Sequence, residues 1–163
     1  MSLPRVVQFQ KLLKRLTEYQ VEFIVVGGLA GVLHGSPLNT RDLDIVYRIS
    51  DSNVERLLAA LKALQAVFRN DDRMLVPNAS HLRTRGHKLL ETTLGPLDCL
   101  GTIEEDTDYE DLSEHVDFID LGSIIVQVIS LPRLIEVKEK LTRPKDQLAL
   151  LHLRATLSER DKG

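Results

Sequence analysis

Two aspartates, Asp42 and Asp44, stand two residues apart in the run Thr40-Arg41-Asp42-Leu43-Asp44-Ile45-Val46. Side chains on an extended chain alternate faces, so both carboxylates point one way while Leu43 and Ile45 point the other. Aspartate is disfavoured in strands, and adjacent carboxylates repel unless something positive sits between them. The simplest occupant is a divalent metal ion. A third carboxylate, Asp98, lies between Leu97 and Cys99 in another apolar run. Three carboxylates on neighbouring strands have the donor number to clamp two divalent ions about 3.5–4 Å apart. Alone, an Asp-x-Asp pair is a common loop feature and Asp98 a strand-end or turn residue. Their shared placement within apolar strands is what points to chemistry.

Two further features fit that site. Gly27-Gly28 sits between the apolar strand ending Val25-Val26 and the short apolar stretch Leu29–Leu33. Glycine there lets backbone N–H groups approach an anion such as a phosphate; the plain alternative is a tight turn. Further on, Leu131, Leu134, Ile135 and Leu141 form an inward helical stripe, and Lys138 falls on it by spacing. An inward lysine needs a partner, and a nucleotide phosphate would serve. The plain alternative is a lysine snorkelling from the edge of the stripe.

Other reactive residue types are set aside. Cys99 reads as a small core residue. His34 reads as structural or loop-facing, and His81, His87, His115 and His152 lack metal-ligand spacing. The acidic run from Glu104 to Glu114 reads as a solvated face. The basic segment from Arg69 to Lys88 reads either as solvated loop or as a surface guiding an acceptor to the site.

The elements that must position these residues follow from periodicity and punctuation. Phe9, Leu12, Leu13 and Leu16 predict a helix over 4–19 with Pro4 in its first turn. A strand over 22–26, a short buried helix over 29–33 and a strand over 43–47 follow. Ser52 and Glu55 form a capping-box pattern opening a helix over 52–67. Residues 69–86 are expected to be irregular, 87–93 to form a strand, Gly95-Pro96 a turn and 97–100 a short strand. Residues 104–114 read as loop or short helix. Residues 116–121 and 124–129 flank Gly122-Ser123 as a hairpin. Helices are expected over 131–141 and from Pro144 to about Leu157, with residues 158–163 frayed.

The chain has 163 residues, 43% hydrophobic and 28% charged, which suits a single globular domain over 1–163 with a real core. Its formal charge of −3 excludes a polycation built for nucleic acid. One cysteine excludes an internal disulfide framework and suits a reducing compartment. No apolar run approaches the ~18 residues of a membrane span, and the start lacks a signal-peptide core. A cytoplasmic protein without membrane partners is the expectation.

Taken together, Gly27-Gly28, His34-Gly35-Ser36-Pro37, Thr40-Arg41-Asp42-Leu43-Asp44, Gly95-Pro96-Leu97-Asp98 and the late run Lys138 to Asp146 resemble the nucleotidyltransferase superfamily of the DNA polymerase beta type. They are most similar to the small bacterial nucleotidyltransferase-like proteins related to the AbiEii toxin group. The resemblance spans about residues 20–153. It implies an α+β fold, a mixed β-sheet flanked by helices with C-terminal helices. It also implies transfer of a nucleoside monophosphate from a nucleoside triphosphate to an acceptor hydroxyl. By position, Asp42 and Asp44 would hold both metal ions, Mg2+ or alternatively Mn2+. Asp98 would complete the second ion's site and help deprotonate the acceptor. Gly27 and Gly28 would cradle the triphosphate of ATP or another nucleotide, and Lys138 would neutralise its charge. The small size suggests a macromolecular acceptor such as tRNA or a protein, and the resemblance a toxin-antitoxin role with a cognate antitoxin; antibiotic modification is a weaker option. Gly28 stands where the motif usually carries serine, and Leu38 where many relatives carry arginine. Leu38 favours the alternative of a catalytically weak or inactive nucleotide-binding or interaction module; the three aspartates favour the enzyme. Metal-dependent phosphate hydrolysis is a third reading, and it leaves Gly27-Gly28 and Lys138 less explained.

Overall fold

The computed structural model describes residues 5–162; the N-terminal expectations at Met1–Pro4, Pro4 in the first helical turn among them, and the tail residue Gly163 lie outside that range. In chain order the elements are α1 (Arg5–Glu18), β1 (Phe23–Val26), α2 (Gly27–Leu33), β2 (Leu43–Tyr47), α3 (Asp51–Ala63), β3 (Val67–Phe68) and α4 (Ala79–Arg83). They continue with β4 (His87–Thr92), β5 (Gly95–Leu100), α5 (Tyr109–Leu112), β6 (Val116–Asp120), β7 (Ile125–Ile129), α6 (Leu131–Glu139) and α7 (Pro144–Lys162).

The strands form one seven-stranded sheet in the order β3-β4-β5-β2-β1-β7-β6. β2 pairs in parallel with β5 and β1 with β7, while β1 and β2 are antiparallel, so the sheet is mixed. The α+β expectation holds. The apolar run Phe23–Val26 is buried at every residue, as befits a central strand covered on both faces. β4 alternates instead: Lys88, Leu90 and Thr92 are buried while His87, Leu89 and Glu91 are exposed. One face of the sheet is therefore open at β4. Leu89 pairs with Asp98 and Asp98 with Asp44, so both carboxylates lie on the row leading to that open face.

Several expected boundaries move. The helix expected over 52–67 starts and ends earlier. Its cap is Ser50, whose hydroxyl accepts from the Asn53 N–H at 3.2 Å, so the Ser52–Glu55 box is not used. It stops at Ala63 because Gln65 takes a left-handed φ of 53°, which breaks the helical ladder. Asn53 is then free to join elements: its amide donates to the carbonyls of Glu22 and Arg48 and accepts from the Glu22 N–H.

The segment 69–86 is not wholly irregular, since it contains α4, capped by Asn78. Lys88 is no part of a basic surface either. It is buried, caps the carbonyls of Thr84 and Gly86, and lies 5.3 Å from the centre of the Tyr47 ring. Gly95-Pro96 belongs to β5; the turn is Thr93-Leu94, closed by Thr92 donating to the Gly95 carbonyl at 2.8 Å. Glu104 departs from the solvated acidic face: it sits at a left-handed φ of 56°, bonded by Thr107, Arg133 and Lys140. α6 ends at Glu139, and α7 runs on to Lys162, past the expected end near Leu157. The C-terminal part of α7 is tied back to the chain just after α2. Arg160 donates to His34 Nδ1 at 3.3 Å, and Thr156 shares a hydrogen bond with Ser36 at 2.9 Å.

Candidate functional site

The β1–α2 turn and the start of β2 meet at close range because the turn carries glycine. Gly27 has a φ of +70°, which L side chains rarely adopt, and a Cβ there would lie 2.3 Å from Asp44 Oδ2. A Cβ at Gly28 would lie 2.9 Å from Thr40 Oγ1. Both glycines therefore let the backbone lie against the Asp44 carboxylate and the loop before it.

The parallel pairing of β2 with β5 sets Asp44 opposite Asp98. Asp42 precedes β2 by one residue and joins them. One oxygen from each of Asp42, Asp44 and Asp98 lies within 4.8 Å of the other two. The three residues singled out by their type and spacing thus converge, though 54 positions separate Asp44 from Asp98.

The electrostatics of the trio favour a cation. Burial, then the neighbouring carboxylates of Asp98 and Asp42, push Asp44 up to about 8 against the pull of the Lys138 ammonium. Asp44 Oδ1 is buried and has no hydrogen-bond partner. A buried carboxylate oxygen left unbonded is costly. A divalent ion would supply the missing partner, and three hard oxygen donors suit Mg2+. The residues present fit such an ion.

One residue holds the trio from outside and a second pairs with Lys138, and sequence reasoning missed both roles. Arg69 donates through one amino group to Asp98 Oδ1 at 2.7 Å and through the other to the Leu90 carbonyl at 2.8 Å. Partial burial works against the Arg69 charge, but the Asp98 bond and the charges of Asp98, Asp42 and Glu91 raise its pKa further. Arg69 lies in a segment without periodicity, so nothing in its spacing marked it. Asp146 is the second. It looks like an ordinary first-turn acid on α7, yet its carboxylate is fully buried and bonded by Lys138 and Arg143. Lys138 does point inward, as its stripe position predicts, and its partner within the chain is Asp146 Oδ1 at 3.3 Å.

Leu38 packs on Gly31, where an added Cβ would come within 2.6 Å of it and within 3.0 Å of Leu153. It serves the α2–α7 contact. Cys99 is fully buried, and His34 is held by the Ile129 carbonyl at 2.8 Å, so neither belongs to the site.

No sequence-family model matches the chain, and no curated protein matches it in sequence. Its likeness is to solved structures. A candidate nucleotidyltransferase from Thermotoga maritima superposes with a TM-score of 0.58 at 20% identity, covering 98% of this chain and 96% of that one. The lincosamide antibiotic adenylyltransferase LnuA, solved with lincomycin bound, gives 0.66 at 13% identity, covering 91% and 96%. The enzyme ANT(2″)-Ia, in complex with adenylyl-2″-tobramycin, gives 0.60 at 15% identity, covering 95% and 91%. Across nearly its whole length, the chain has the nucleotidyltransferase fold.

Proposed function

We propose that the chain is a metal-dependent nucleotidyltransferase that moves a nucleoside monophosphate from a nucleoside triphosphate to an acceptor hydroxyl. The observation that carries this reading is the convergence of Asp42, Asp44 and Asp98 to within 4.8 Å on this fold. Asp42 and Asp44 are the residues that two ions would share, and Asp98 would complete the second site. What bound Mg2+ adds is neutralisation of phosphate charge.

The chain's own residues do the rest. Gly27 keeps the Asp44 carboxylate clear. Lys138 supplies a fixed positive charge for the triphosphate. Arg69 holds Asp98 by Oδ1 alone, which leaves the other oxygen for the acceptor's proton. The acceptor oxygen bonds to the α-phosphorus, the α–β bridge breaks and pyrophosphate leaves. Positioning and electrostatics supply most of the rate, as in other phosphoryl transfers.

The acceptor is read more broadly than size alone suggests. LnuA and ANT(2″)-Ia have antibiotics in their solved complexes, and this chain covers 96% and 91% of them. A chain of this length therefore suffices for a small-molecule hydroxyl, and the size argument for tRNA or protein loses force. Assignment to the AbiEii-related group, a toxin-antitoxin role, and a cytoplasmic location rest on the sequence resemblance and composition. Among the described residues, no helix is long and apolar enough to cross a membrane.

One observation favours the second reading, a nucleotide-binding module without turnover: Leu38 is committed to packing beside Gly31. The experiment that separates them offers α-labelled nucleoside triphosphates and Mg2+ with three acceptor pools in turn: total RNA, total protein, and small hydroxylated antibiotics. The enzyme labels one pool, and Asp44→Ala labels none. Magnesium-dependent nucleotide binding with no labelled pool selects the module.

A further inference from the structure

Asp146 is the buried acid that the proposed chemistry leaves unexplained. An aspartate in the first turn of a helix ordinarily sits in solvent and interacts with the free backbone N–H groups. Here the side chain is 0% exposed, and a buried carboxylate is tolerated only when it is paired. Its pairing is unusual in kind. Lys138 from α6 reaches Oδ1 at 3.3 Å, and Arg143, three residues before it, bonds Oδ2 through Nε at 2.8 Å and Oδ1 at 3.4 Å. One acid thus holds two cations together at the α6–α7 junction.

The two cations differ in what they leave free. The Lys138 side chain is 15% exposed and held to Asp146, and its charge also favours the ionised form of Asp44. The Arg143 side chain is 63% exposed, so most of its guanidinium remains available to a ligand. A buried pair that did no more than join α6 to α7 would need one cation. Two, Lys138 enclosed and Arg143 open to solvent, form a forked positive site for an oligophosphate.

We propose that Asp146 is a positioning residue that presents Lys138 and Arg143 as a pair of phosphate-binding cations for the nucleotide's triphosphate, with Arg143 a direct ligand. This deepens the proposed nucleotidyltransferase reading and rests on it.

The test uses the whole chain and calorimetric titration with magnesium tripolyphosphate, a probe that carries no base, alongside the α,β-methylene analogues of the four ribonucleoside triphosphates. Arg143→Gln, a substitution at an exposed side chain, weakens tripolyphosphate binding about tenfold, the loss of one charge-assisted contact. Asp146→Asn weakens it by at least as much. In a Lys138→Gln, Arg143→Gln background, Asp146→Asn changes binding no further, because the residues through which it acts are gone. An Asp146 that is merely structural lowers binding equally in both backgrounds, and that result overturns the proposal. So does binding by Arg143→Gln within twofold of the parent, which decides the matter if Asp146→Asn does not fold. If the parent chain binds neither tripolyphosphate nor any of the four analogues, the nucleotidyltransferase reading itself fails; if it binds and the variants match it, only the present inference fails.

Discussion

Arg69 holds Asp98 at 2.7 Å from a segment 29 residues upstream, so the third carboxylate of the trio is fixed by the β3–β4 connection as well as by its own strand. The pair is mostly enclosed, with side-chain exposures of 22% and 12%. Removing the guanidinium leaves three carboxylates with one fewer compensating charge. Arg69→Met is therefore expected to lower stability by about 2 kcal/mol in metal-free buffer. Mg2+ then replaces part of what was lost, so the magnesium-induced rise in Tm is larger for the variant than for the parent. Thermal melts with and without Mg2+ check this, and equal rises contradict it.

Gly27 and Gly35 form a matched pair of positions. Both have positive φ, +70° and +97°, but only Gly27 has a neighbour where a Cβ would go, Asp44 Oδ2 at 2.3 Å. Alanine at either position strains the backbone by about 1 kcal/mol or more. Only Gly27→Ala displaces the Asp44 carboxylate. It is expected to weaken Mg2+-dependent nucleotide binding at least tenfold, with Gly35→Ala within twofold of the parent. Calorimetry on the two variants reads the difference directly.

The trio repels itself when no cation is present. At pH 9, above the raised pKa of Asp44, Asp44→Asn removes one charge and leaves a side chain that carries no charge to desolvate. Metal-free Asp44→Asn is expected to be more stable than the parent by about 1 kcal/mol and to show no Mg2+-dependent rise in Tm. A parent whose stability ignores Mg2+ contradicts the site.

Acid stability reports on Glu104. Hydrogen bonding from Arg133, opposed by burial and aided by Lys140 and Thr107, holds its carboxyl down to about 2 from an ordinary 4.5. A depressed carboxyl stabilises the fold fully above its unfolded pKa and loses that contribution as pH falls from about 4.5 to about 2. Discounted for the solvent-exposed Lys140, the contribution is about 1–3 kcal/mol. Urea denaturation between pH 2.5 and 6 checks it, with Glu104→Gln showing a flatter profile over that window.

Much of the site could be read from the chain because its residue types conflict with their surroundings. Aspartates on one face of an apolar strand, a third in another, and a lysine on an inward stripe are all local anomalies. The partners that resolve the anomalies were not legible. Arg69 lies in a stretch with no period, and it finds Asp98 only because β4 sits between β3 and β5. Asp146 carries the signature of a helix cap, and only the packing of α6 on α7 buries it. Element boundaries failed for a related reason. The left-handed turn at Gln65 ended α3 early, and α7 runs on beyond Leu157 where Thr156 and Arg160 meet Ser36 and His34, just past α2. Both depend on where the chain goes next.

Which phosphate of the nucleotide reaches the acceptor decides between nucleotidyl transfer and every other use of the three carboxylates. The chain is incubated with Mg2+, the acceptor pool it modifies, and nucleoside triphosphate labelled at either the α or the γ phosphate. A nucleotidyltransferase places the α label in the acceptor and releases the γ label as pyrophosphate, and Asp44→Ala and Asp98→Ala abolish both. Transfer of the γ label, or release of inorganic phosphate with no labelled acceptor, would contradict nucleotidyl transfer.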